Sequence, residues 1–119
     1  MSEELLPPWI QEQISRLQQI QANLQAILMK KQQIEHEIAE TDTILEEIQK
    51  INGDSKVYKR HNNLLIMSKR EDILQELKQK KDTLKIKMMV VEKQETRVSD
   101  NLKEVENKIT KMRSLLDNG

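Results

Sequence analysis

Apolar residues recur every seven positions along two long stretches of this chain, and a short run of another kind separates them. In the first stretch Ile10, Leu17, Leu24, Lys31, Ile38 and Leu45 form one series. Gln13, Ile20, Ile27, Ile34, Thr41 and Ile48 form a second. Nine of these twelve positions are apolar, a sustained a/d stripe. In the second stretch Leu74, Lys81, Met88, Glu95, Leu102, Ile109 and Leu116 alternate with Leu77, Leu84, Val91, Val98, Val105 and Met112. Eleven of those thirteen are apolar. A period held near 3.5 predicts helices that wind around each other with a left-handed supercoil.

The ends of both helices are marked. Pro7-Pro8 halts any upstream helix, and Pro8 suits a first-turn position. Gly53 in "NGD" suits a left-handed cap after the first helix. "SKRE" has capping-box form, with Ser68 as cap and Glu71 reaching back. The predicted elements are helix one over 9–51, a β-hairpin over 56–67 and helix two over 69–117, within a single domain spanning 1–119. Each helix is roughly 65–70 Å long at 1.5 Å per residue. A short connection between them favours an antiparallel pair. Aligned stripes set Leu45 against Leu77, Ile38 against Leu84, Leu24 against Val98 and Leu17 against Val105. Thr41 and Lys81 then share a layer, and Lys31 and Glu95 fall in adjacent layers. Two readings of these polar positions stand side by side: they fix register at some cost in stability, or their long side chains reach out of a thin core.

The interruption is "VYKRHNNLLIMSKRED", residues 57–72, with strands expected over 56–61 and 64–67. Asn tolerates positive φ, so Asn62-Asn63 suits a two-residue hairpin turn. The implied pairs are Arg60 with Leu65, Lys59 with Ile66 and Tyr58 with Met67. Four consecutive apolar residues, Leu64, Leu65, Ile66 and Met67, put greasy side chains on both faces of the second strand. A lone ribbon is marginal in water and leaves both edges unpaired. The hairpin is therefore expected to join others in a larger sheet or closed barrel, with Val57, Tyr58, Leu64, Leu65, Ile66 and Met67 as the oligomerisation residues.

Composition narrows the function classes. Only 36% of the residues are hydrophobic and 34% are charged, which fits long helices that bury one stripe. The chain has no Cys, so thiolate chemistry and disulfides are absent and a reducing compartment fits. "MSEELLPPW" lacks the layout of a signal peptide, and no apolar run approaches the roughly 20 residues of a membrane span. A cytoplasmic protein without a membrane partner is expected. Net charge is zero, which argues against a nucleic-acid binder. It is unevenly spread: residues 1–50 carry 4 Lys/Arg and 9 Asp/Glu, and residues 51–119 carry 16 and 11. Opposite signs suit halves that lie together. No phosphate loop, nucleophile–base pair or metal spacing occurs, so no catalytic residue, metal or cofactor is expected. His36 in "EHE" sits at an outward position between carboxylates that do not converge, and His61 adjoins the turn.

In these features the chain resembles beta-type subunits of the prefoldin family. "VYKRHNNLLIMSKREDILQELKQKKDTL" follows the family's strand–turn–strand–helix sequence, and "VVEKQETRVSDNLKEVENKI" is similar to its distal second helix. The family commonly has Gly where this chain has Asn62, which implies a slightly costlier turn. The compact form looks archaeal, with a eukaryotic beta-type subunit as the alternative source. The resemblance implies a mainly α fold, a long antiparallel two-helix coiled coil with one central β-hairpin. It further implies a hexamer of two alpha-type and four beta-type subunits on a β-barrel platform. Unfolded client polypeptide would be held at the coiled-coil tips without ATP and passed to a group II chaperonin.

The tip opposite the hairpin brings the chain ends together: Leu5, Leu6, Trp9, Ile10 and Ile14 from one, Ile109, Met112, Leu115 and Leu116 from the other. These are the candidate client-binding residues, since apolar groups at a frayed end bind unfolded chain without selectivity. The plainer role is that Trp9 and Leu6 staple the helix start over Met112 and Leu116, and one group can do both. A second outward patch, Met29, Ile86, Met89 and Val90, has three readings: cavity lining, a subunit contact, or scattered surface residues. Against the holdase stands a passive coiled-coil scaffold or adaptor. A weaker third idea is a nucleic-acid accessory factor using the basic second half.

Overall fold

The computed structural model describes residues 6–118. Its elements are α1 (Pro8–Gln49), β1 (Val57–His61), β2 (Leu64–Ser68) and α2 (Arg70–Asn118). Two long helices with an antiparallel hairpin between them are what the period of seven and the apolar run predict. All twelve stripe positions of α1 are buried or half-buried, as are those of α2 except Leu116.

Helix α1 opens at Pro8, whose fixed φ and missing N–H suit a first helical residue. The Pro7 carbonyl accepts from the N–H groups of Ile10 and Gln11 at 3.0 and 3.1 Å. The helix ends at Gln49, short of the expected Ile51, and Gly53 is not its left-handed cap, since its φ is not positive. Arg70 takes that role from across the hairpin. Its Nε donates to the Ile48 carbonyl at 3.1 Å and its Nη2 to the Gln49 carbonyl at 3.4 Å. Carbonyls of a last turn lack helical partners, and a cation there meets the negative end of the helix dipole.

The second helix also starts differently from the expectation. Ser68 is the last residue of β2, opposite Val57, so it does not cap α2. The helix begins at Arg70, with the Ile73 N–H donating to the Lys69 carbonyl at 3.2 Å. Glu71 and Asp72 place carboxylates in its first turn, where the dipole favours them.

The chain packs as two compact units. One, Gln32–Met89, contains the hairpin and has Ile34, Leu45, Ile48, Ile73 and Leu84 as its core. Thr41 is buried among them and satisfies its hydroxyl within its own helix, donating to the Glu37 carbonyl at 2.7 Å. Its expected layer mate Lys81 instead pairs with Asp42, one residue on. The other unit joins residues up to Lys31 with those from Val90 onward, around Ile10, Val91, Val105 and Ile109. There Lys31 and Glu95, expected in adjacent layers, meet directly at 3.0 Å.

Candidate functional site

In the hairpin unit, β1 and β2 pair in the register the Asn-Asn turn implies: Tyr58 with Met67, Lys59 with Ile66, Arg60 with Leu65 and His61 with Leu64. Asn62 has φ 55° and is the one non-glycine residue at positive φ among the described residues. Side chains alternate across a strand. Tyr58, Arg60, Leu65 and Met67 therefore share one face, and Val57, Lys59, His61, Leu64, Ile66 and Ser68 share the other. The second face carries Lys59 toward α2, whose Glu76 Oε2 its Nζ reaches at 2.9 Å.

That single ion pair does not cover the ribbon. Leu64 and Leu65 are 67% and 69% exposed, and Tyr58, Ile66 and Met67 are exposed as well. Val57 is half-buried. Among the described residues the sheet has two strands, so each strand keeps one free edge. With hydrogen-bonded and non-bonded pairs alternating from the His61–Leu64 pair that closes the turn, Tyr58 and Arg60 direct their backbone groups outward on one edge. Leu65 and Met67 do so on the other. The arrangement offers unpaired backbone and uncovered apolar side chains together.

In the unit of the chain ends, the described client-binding candidates separate into three sets by exposure. Ile10 and Ile109 are buried and form the packing of the tip rather than its surface. Leu6, Ile14 and Met112 are half-buried. Trp9, Leu115 and Leu116 are exposed, Leu115 by 71%. Leu5 lies outside the described residues. The tip also holds an unpaired acceptor: Gln13 Oε1 is buried with no hydrogen-bond partner.

The outward residues Met29, Ile86, Met89 and Val90 are each exposed. His36 bonds Glu40 one turn along at 3.0 Å, on the surface. Among the described residues no group of three or more His, Cys, Asp or Glu is placed to hold a metal ion, and no helix is long and apolar enough to cross a membrane. Sequence reasoning missed the Lys59–Glu76 pair and the Arg70 cap, since both join positions that only the hairpin's path brings together. It also missed Ile44 and Ile51, exposed apolar residues of the hairpin unit one heptad apart. Their spacing in sevens beside the stripe was the available signal.

A family model described as "Prefoldin subunit" matches residues 11–114. Among curated proteins, the prefoldin subunit beta of Archaeoglobus fulgidus is 35% identical over 109 residues, covering 92% of this chain and 94% of that protein. The prefoldin subunit beta of Pyrobaculum arsenaticum is 36% identical over 114 residues, covering 96% and 92%. The crystal structure of the prefoldin beta subunit from Thermococcus strain KS-1 aligns with a TM-score of 0.83 at 30% identity, covering 89% of this chain and 93% of that one.

Proposed function

This chain belongs to the prefoldin family as a beta-type subunit, and from that premise we propose that it is a non-enzymatic, ATP-independent holdase subunit of the cytoplasm. Its hairpin joins a hexamer of two alpha-type and four beta-type subunits through a β-barrel platform. Its chain ends hold unfolded polypeptide for delivery to a group II chaperonin.

The observation that carries the assembly step is the exposure of residues 64–67 on a ribbon with two free edges. Covering one such side chain fully is worth about 1.5–3 kcal/mol, and a third or more of that remains available at each of these four. Edge pairing adds backbone hydrogen bonds that water now supplies. Client capture draws on Trp9, Leu115 and Leu116, whose apolar surface is open in the unit of the chain ends. Ile10, Ile14, Ile109 and Met112 enter when that end frays.

Aggregation of a chemically unfolded client, followed by light scattering with the complex present and no nucleotide, tests the activity. Suppression is expected. Removing residues 1–10 and 112–119 abolishes it while the hexamer survives. Full suppression by the truncated complex would move the client site elsewhere, and no suppression by the intact complex would leave a passive scaffold. Leu65→Asp with Ile66→Asp breaks the oligomer in sedimentation while helicity persists; an unchanged complex would remove the hairpin as the joint.

A further inference from the structure

The two edges of the hairpin differ in chemistry. Strand β2 reads LLIMS and strand β1 reads VYKRH. Lys59 is matched within the chain by Glu76, but Arg60 is exposed and makes no ion pair among the described residues. Its side chain lies on the same face as Tyr58, Leu65 and Met67, all exposed. Any strand that adds to the β1 edge covers part of this face and takes water from the guanidinium. A buried guanidinium needs a carboxylate, ideally in the two-pronged geometry Arg favours.

Neither strand of this chain contains Asp or Glu. A second copy adding its own β2 would set Leu65 or Met67 against Arg60 and leave the charge unmatched. A second copy adding its own β1 fares worse. The antiparallel two-fold registers that use the outward groups of Tyr58 and Arg60 oppose Arg60 to Arg60, Lys56 to Arg60, or Lys59 to Lys59. Like charges directly across a strand pair are unfavourable, and only the last register is softened by Glu76.

We propose that the β1 edge is shaped to receive a strand from a different chain, one with Asp or Glu opposite Arg60, and not a strand from a second copy. The inference rests on hairpin-mediated assembly and specifies which edge selects the unlike subunit. Edge cations also protect free strands from aggregation. That alternative requires an edge that stays in water, so the two predict different contacts.

The test places the photo-crosslinker p-benzoylphenylalanine at Tyr58 on the β1 edge, or at Met67 on the β2 edge, in the complex formed with a co-expressed alpha-type prefoldin subunit. Position 58 is expected to give adducts with the alpha-type chain and none between copies of this chain. Arg60→Glu is expected to lower the amount of alpha-type subunit recovered by at least tenfold with helicity unchanged, and Arg60→Lys to retain most of it. Adducts between copies from position 58, crosslinking from position 67 alone, or recovery by Arg60→Glu equal to the unmodified chain would each overturn the inference and leave hairpin assembly standing. Absence of adducts from both positions in an intact complex would overturn hairpin assembly as well.

Discussion

Lys31 Nζ lies 3.0 Å from Glu95 Oε1, so two of the charged residues that interrupt the apolar stripes answer each other across the two helices. Both side chains keep about a third of their surface in water. A pair in that setting is worth roughly 0.5–1 kcal/mol. Alanine at either position should lower stability by about that much. Replacing both with Leu should raise it by about 1–3 kcal/mol, because two stripe positions then bury hydrocarbon without desolvating charge. Urea unfolding of the three variants checks this. A double variant less stable than the original would mean the pair contributes more than its exposure allows.

Arg70 fastens the start of α2 to the end of α1 through the carbonyls of Ile48 and Gln49. Arg70→Ala leaves the Ile48 carbonyl with only the Ile51 N–H at 3.1 Å and the Gln49 carbonyl to water, and should cost about 1 kcal/mol. Arg70→Lys should restore less than half, since an ammonium lacks the fork that reaches both oxygens. Amide hydrogen exchange gives a local readout. Faster exchange over residues 50–56 is expected in Arg70→Ala, and unchanged exchange there would show that the cap does not hold the connection.

Much of this fold is legible because a period of seven and an Asn-Asn turn are local signals. The stripes located nearly every core residue, and the turn set the hairpin register. Ile73 shows where heptad counting fails. It is buried, although Leu74 held the stripe position and is only half-buried. Ile73 precedes Leu84 by eleven residues, close to three full turns at 3.6 per turn, so the two point the same way. A strict 3.5 repeat hides that drift. Gly53 and Ser68 misled for another reason. Each has the right residue type for a cap, but Arg70 and the strand pairing of Ser68 with Val57 are tertiary choices that no window of a few residues contains. At the tip, the sequence located the apolar cluster, but only packing separates buried Ile10 and Ile109 from open Trp9, Leu115 and Leu116.

Asn62 carries the turn at φ 55°, on the side of backbone space that glycine occupies freely. Asn62→Gly relieves that preference but gives the unfolded chain more freedom, so a net gain of roughly 0.5 kcal/mol is expected. Asn62→Val should cost about 1–3 kcal/mol, because a β-branched side chain resists positive φ. If assembly uses the hairpin, the Val variant also needs a higher partner concentration to form the complex. Equal melting temperatures for Gly, Asn and Val at this position would mean the turn conformation carries no strain.

Gln13 occupies a stripe position in the unit of the chain ends, and its Oε1 is buried without a partner. A buried acceptor left unpaired costs about 1–3 kcal/mol. Gln13→Leu should therefore stabilise the chain by about 1–2 kcal/mol, a gain readable as a higher melting temperature. The same unit buries Ile10 and Ile109, so under the proposed function they would reach a client only when the tip opens. A polar defect beside them lowers the free energy of that opening. Removing it should raise the melting temperature and weaken suppression of client aggregation together. A variant that melts higher yet suppresses aggregation as well as the original would show that Trp9, Leu115 and Leu116 hold the client on the closed tip, with no opening required.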